Sequence, residues 1–96
     1  MAIRYAPRVK ETTTTTTAAT PYLLAGAMIG FRTFASAGFL DGDFTMYCCT
    51  NGVDWEIAVG EFSESGNSLS RDFIKASSNA GSAVNWAAGS KEVFCI

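Results

Sequence analysis

Few side chains in this sequence could carry chemistry. It has no histidine, which removes the commonest general base and the commonest metal ligand. Asp41 and Asp43 flank Gly42 in the manner of a calcium loop, but the run of ligands over about twelve residues that closes on a glutamate is missing. The segment therefore reads as a turn. Glu56, Glu61 and Glu64 fall on one strand and the loop after it, and with few charges around them they read as a solvated face. Arg32, Arg71 and Lys75 are scattered and read as single basic residues facing water. Trp55 and Trp86 could stack on a sugar or a base, yet each sits on an apolar alternating face, which favours core packing. No nucleophile stands beside a base, and no cofactor is implied.

The thiols are Cys48, Cys49 and Cys95. Strand neighbours point to opposite faces, so a bridge between Cys48 and Cys49 would need a strained turn. One of them could pair with Cys95 if their strands meet; small buried thiols are the preferred reading. Zinc is disfavoured, because no Cys-x-x-Cys spacing exists and a fourth ligand is missing.

These groups sit on a chain of 96 residues, 48% hydrophobic and 17% charged, with a net charge of −2. That composition suits one small folded domain. A net-acidic chain without a basic run does not suit phosphate backbones, so no nucleic-acid partner is expected. The apolar stretch YLLAGAMIGF covers ten residues, 22–31, about half of the ~20 that span a bilayer. It reads as a buried strand and turn, with no membrane partner. No signal peptide is expected at the N-terminus.

The elements that must position these residues read as strands. Residues 8–17, RVKETTTTTT, could form a disordered polar tract or an O-glycosylated stalk; a β-branched edge strand guarded by Arg8, Lys10 and Glu11 is preferred. Thr20-Pro21 marks a turn before an apolar strand at 22–24, and Phe31, Phe34 and Ala35 hint at one helical turn. The clearest unit is a hairpin: FTMYCCT at 44–50, the turn Asn51-Gly52-Val53-Asp54, then WEIAVGEF,. Trp55, Ile57 and Val59 share one face of its second strand, and Glu56, Ala58 and Gly60 the other. Leu69 and Phe73 alternate with polar neighbours, Val84 and Trp86 suggest a short strand, and KEVFCI closes the chain as another. The spacing and glycine punctuation predict an all-β, small antiparallel β-sandwich or barrel-like domain over residues 8–96, with an N-terminal arm at 1–7.

Several segments, in order, resemble a module of tailed bacteriophages that occurs as small virion proteins and near the N-terminus of tail-fibre-like proteins. The series here is RVKETTTTT, LAGAMIGFRTF, TMYCCTNGVDWEIAVGEF, LSRDFIKASSN and AVNWAAGSKEVF. The family pattern runs RVKETTTTTG, LAGA-x-x-GF-x-x-F, Y-x-I-x-x-G-x-x-WE-V-G, L-x-R-x-x-V-x-x-SSN and V-N-F-x-AG-x-K-x-V-F. It covers roughly residues 8–95, and departs at Ala18-Ala19-Thr20-Pro21, where the family has an apolar-Gly-Thr stretch.

The resemblance implies a virion component without catalytic activity. Together with a chain that stops at Ile96, it leads to the expectation of a capsid decoration (cement) protein. Such a protein would sit on the outer capsid surface, after assembly in the host cytoplasm, and bind the major capsid protein as a homotrimer. The alternatives are a tail-fibre-attachment or tail/connector structural module, and a small carbohydrate-binding module using exposed aromatics. Partner contact is expected at Arg4, Tyr5, Arg8 and Lys10.

Overall fold

The Asn51–Asp54 hairpin is the spine of the fold. In the computed structural model, which describes residues 3–18 and 20–96, it joins the two longest strands. The Asn51 side-chain oxygen accepts the N–H groups of Val53 (3.0 Å) and Asp54 (2.8 Å). Thr50 Oγ1 donates to the Asp54 carbonyl at 2.8 Å. The turn thus carries its own hydrogen bonds, independent of the rest of the chain.

In chain order the strands are β1 (Lys10–Thr13), β2 (Tyr22–Leu23), β3 (Phe44–Thr50), β4 (Trp55–Ser63), β5 (Ser68–Leu69), β6 (Phe73–Ser77) and β7 (Lys91–Cys95). They form one sheet in the order β1-β7-β3-β4-β5-β2, with β6 also on β4. Every strand pair is antiparallel. Strand β4 divides its outer edge: Glu56–Val59 pair with β6, and Phe62–Ser63 pair with β5. The sheet curls into a half-barrel, so the barrel-like form of the expected all-β domain is the one adopted. Its concave side holds Tyr47, Cys49, Ala58, Phe62, Leu69 and Val93, closed over by Tyr22 of β2 and by Leu24, Phe34, Phe39, Val84 and Trp86 from the connecting segments.

Three local expectations are corrected. Buried positions on β4 are Glu56, Ala58, Val59, Gly60 and Phe62, while Trp55, on the same face as Val59, is 38% exposed and Ile57 half-buried. The strand therefore turns the face with the glutamate inward. Val84 and Trp86 are buried but belong to no strand. The threonine run is a strand only as far as Thr13; beyond it the Thr16 carbonyl accepts the Trp86 N–H at 2.8 Å. The one turn expected around Phe34 and Ala35 is present at residues 33–37, held by reciprocal Thr33 and Ser36 bonds (2.9 and 3.1 Å).

The β1 edge is not open. Residues 25–32 run alongside it, with bonds from Thr12 N–H to Gly26 O (2.9 Å), Met28 N–H to Lys10 O (2.9 Å) and Lys10 N–H to Arg32 O (3.2 Å). Glu11, expected to decorate that edge, is fully buried and accepts the N–H groups of Phe34 (2.8 Å) and Gly26 (3.3 Å). It ties the covering segment down. The described part of the N-terminal arm, residues 3–7, is docked: Arg4 N–H donates to Phe44 O at 2.7 Å and Arg4 Nε meets Asp43 at 2.8 Å.

Candidate functional site

The richest polar constellation lies in the interior and centres on Glu56 and Arg71, both expected at the surface. Glu56 and Arg71 form an ion pair with no side-chain exposure on either partner. The guanidinium engages both oxygens, Nη2 to Oε1 at 2.6 Å and Nε to Oε2 at 3.0 Å. Glu56 also accepts the hydroxyls of Tyr22 (2.6 Å) and Tyr47 (2.8 Å) and the Val84 N–H (2.9 Å). Remaining guanidinium hydrogens reach the carbonyls of Thr17 (2.8 Å) and Val84 (2.7 Å). Trp86 Nε1 closes the network on Tyr22 Oη at 3.0 Å.

Burial alone would raise the Glu56 pKa, but Arg71 and the three neutral donors outweigh it and hold the carboxyl below its usual value,. Burial is likewise the largest influence on the tyrosines, and with Glu56 beside them both phenols are pushed far up. Burial lowers Arg71, yet pairing with Glu56 keeps it above its ordinary value. Every polar atom is engaged and none is reachable, so the cluster joins β2, β4 and the segments around residues 17, 71 and 84. Its arrangement is that of a structural clamp, with no position for a substrate.

The other candidates separate by burial. Asp43 is occupied by Arg4 and by the Leu40 N–H (2.8 Å), and Asp41 accepts the Glu64 N–H (2.9 Å). Among the described residues, no three of Cys, Asp or Glu come close enough to hold a metal ion. All three thiols are free; Cys49 is buried and its pKa is pushed up to about 12 by that burial. A cleft of about 290 Å³ opens between Met28, Thr50, Asn51, Gly52, Ser90 and Glu92, just under the ~300–1,000 Å³ usual for small-molecule sites.

Of the two tryptophans only Trp55 could meet a sugar ring, since Trp86 is 4% exposed. Trp86→Ala is expected to cost about 3–5 kcal/mol, from the lost packing and the orphaned Tyr22 contact. Trp55→Ala should cost under about 1 kcal/mol. Urea denaturation of the two variants checks this; equal losses would contradict it.

Of the four expected contact residues, Arg8 and Lys10 lie at the β1 side of the sheet, whereas Arg4 is bound at the start of β3. Tyr5 is 57% exposed. Arg8 takes a left-handed backbone conformation, φ 60°, unusual for a residue with a Cβ. Its guanidinium donates to Gly30 O at 2.7 Å and covers the Phe31 ring at 4.2 Å. Lys10 Nζ lies between the rings of Phe31 (4.6 Å) and Phe94 (5.0 Å) and 3.5 Å from Glu92. Arg32 donates to Pro7 O at 2.6 Å. Arg8, Lys10 and Arg32 thus form a fixed cationic and aromatic ridge. Arg4 is drawn to Asp43 and the Phe39 ring instead. By sequence Phe31 reads as part of a helical turn and Arg32 as an isolated basic residue, because their place beside β1 depends on the covering segment.

No family model matches this chain, and no curated protein or solved structure matches it.

Proposed function

We propose that this protein is a non-enzymatic structural component of a tailed-phage virion, a decoration (cement) protein on the outer face of the major capsid protein lattice. One observation carries the reading. The polar groups capable of chemistry are sealed in the Glu56–Arg71 clamp, whereas the accessible cations are held rigidly beside aromatic rings. A rigid ridge of this kind suits protein contact, because little side-chain freedom is lost on binding. The sequence series of residues 8–95 supports the same reading. Many symmetric copies of one capsid site would let a small protein hold by avidity. Neither nucleic acid nor membrane is a partner in this reading.

Cryo-microscopy of purified virions, with copy counting by mass spectrometry, tests it. The expected result is density over the capsid, with copies on the order of hundreds per particle. Density confined to the tail would overturn it in favour of the tail-attachment module. Arg8→Ala with Lys10→Ala should weaken capsid binding by about tenfold or more while the melting temperature stays within a few degrees. Unchanged occupancy would remove the ridge as the contact.

A further inference from the structure

The cleft of about 290 Å³ lies on the outer side of the sheet, at the end where β3 turns into β4. Its floor follows from strand register. Glu92 pairs with Thr50, and Thr50 with Trp55. Each of the three is followed or preceded by an inward residue, Val93, Cys49 and Glu56 respectively, so their side chains form one outward row,. Glu92 and Thr50 line the cleft, and the indole of Trp55, 38% exposed, stands beside Thr50 at the end of the row. Two strand spacings, roughly 10 Å, separate the backbone at Glu92 from that at Trp55.

The polar groups of the cleft are fixed in place yet only partly engaged. The Asn51 oxygen accepts the Val53 and Asp54 N–H groups, which orients the side chain, while its amide N–H donors take no part in the turn,. One Glu92 oxygen lies 3.5 Å from Lys10 Nζ, and the carboxylate has a second oxygen to accept with. Ser90 is exposed at the mouth. Met28 supplies an apolar wall. A Cβ at Gly52 would meet nothing within 4 Å, so the turn backbone is open to the cleft. Neither lysine nor arginine is among the lining residues.

We propose that this surface binds a short uncharged glycan, with one sugar ring stacked on Trp55 and the next seated in the cleft. A pyranose ring has an apolar C–H face and a rim of hydroxyls. The indole matches the face, and Asn51, Ser90 and Glu92 offer the rim both donors and acceptors. Two linked rings also match the span from Trp55 to Glu92. A phosphate or an acidic sugar would meet the Glu92 carboxylate with no lining cation to offset it, which sets the preference for neutral rings,. An alkyl chain would strip water from Asn51, Ser90 and Glu92 and give them no partner in return. The inference rests on the outer surface of the sheet and holds independently of any capsid assignment.

Isothermal titration calorimetry of the purified full chain tests this, with maltotetraose, cellotetraose, mannotetraose and chitotetraose as neutral probes and tetragalacturonate as the anionic comparison. At least one neutral probe should bind with a dissociation constant of about 0.1–1 mM, and tetragalacturonate should bind more weakly. Trp55→Ala should weaken that binding about tenfold or more, and Trp55→Phe should retain part of it. Ser90→Phe, at an exposed position, fills the mouth of the cleft and should weaken binding about as much as Trp55→Ala,. Far-ultraviolet circular dichroism should be unchanged in all three variants. Since Trp86 is buried, the probe that binds should shift the indole emission of the wild type and leave that of Trp55→Ala unmoved. No heat from any neutral probe at about 5 mM, tighter binding of tetragalacturonate, or binding that either Trp55→Ala or Ser90→Phe leaves unchanged overturns the proposal.

Discussion

Replacing Arg71 by methionine is expected to lower the melting temperature by about 15–30 °C. The substitution leaves Glu56 charged and fully buried with only neutral donors around it. Removing one partner of a buried pair costs about 3–5 kcal/mol, and each kcal/mol shifts a domain of this size by roughly 4–8 °C. Since a small domain holds only about 5–15 kcal/mol of stability, the variant should be near the edge of folding at body temperature. Arg71→Lys should fall between, because lysine keeps the charge but cannot span both Glu56 oxygens and the Thr17 and Val84 carbonyls,.

The pH dependence gives the same prediction a sign. In the folded wild type the Glu56 pKa lies below its ordinary 4.5. Its contribution to stability is therefore complete above that value and is lost as pH falls through the folded pKa. Glu11 works the other way: burial raises its folded pKa, against the Phe34 and Gly26 N–H bonds. Its contribution is present below 4.5 and lost as pH rises through the raised value,. In Arg71→Met the counter-charge is gone and desolvation dominates Glu56, so it too becomes a raised carboxyl. Thermal melts at neutral pH and near pH 4 should show the wild-type and variant curves converging on the acid side. A gap that stays constant with pH would mean that Glu56 is not charged in the fold.

The second large effect is at Gly60, mid-strand in β4. A Cβ there would collide with the backbone carbonyl of Ser70 and lie 3.2 Å from the Tyr47 ring. The chain after β5 crosses close over this point, held by Ser70 N–H to Glu61 O (3.0 Å) and Glu61 N–H to Ser70 Oγ (2.8 Å). Backbone cannot yield as a flexible side chain can, so Gly60→Ala should cost about 3 kcal/mol or more. Gly52→Ala provides the contrast: nothing lies within 4 Å of that position, and its cost comes only from φ 94°, of the order of 1 kcal/mol. Chemical denaturation of the pair should rank Gly60→Ala well below Gly52→Ala; the reverse order would show that the crossing can relax.

What the sequence settled by itself was local. The Asn51–Asp54 turn satisfies its own hydrogen bonds, and the β-branched and aromatic runs beside it have little other use, so β3 and β4 are legible with close boundaries. The same holds for β7 and for the all-β class. Orientation was not legible. Alternation with a period of two says that β4 has two faces, and Trp55, Ile57 and Val59 make the more hydrophobic one. Which face turns inward depends on partners far away in sequence: Arg71 is 15 residues from Glu56, Val84 is 28 and Tyr22 is 34. A carboxylate can be buried only when such donors converge on it, and no local pattern records that convergence. Tertiary structure alone therefore decided that Glu56 and Glu11 lie inside, that β1 is covered and that the most apolar face of the hairpin looks outward. The physical reason is that burial of charge is a property of the assembled neighbourhood, whereas turns and strand propensity belong to a few adjacent residues.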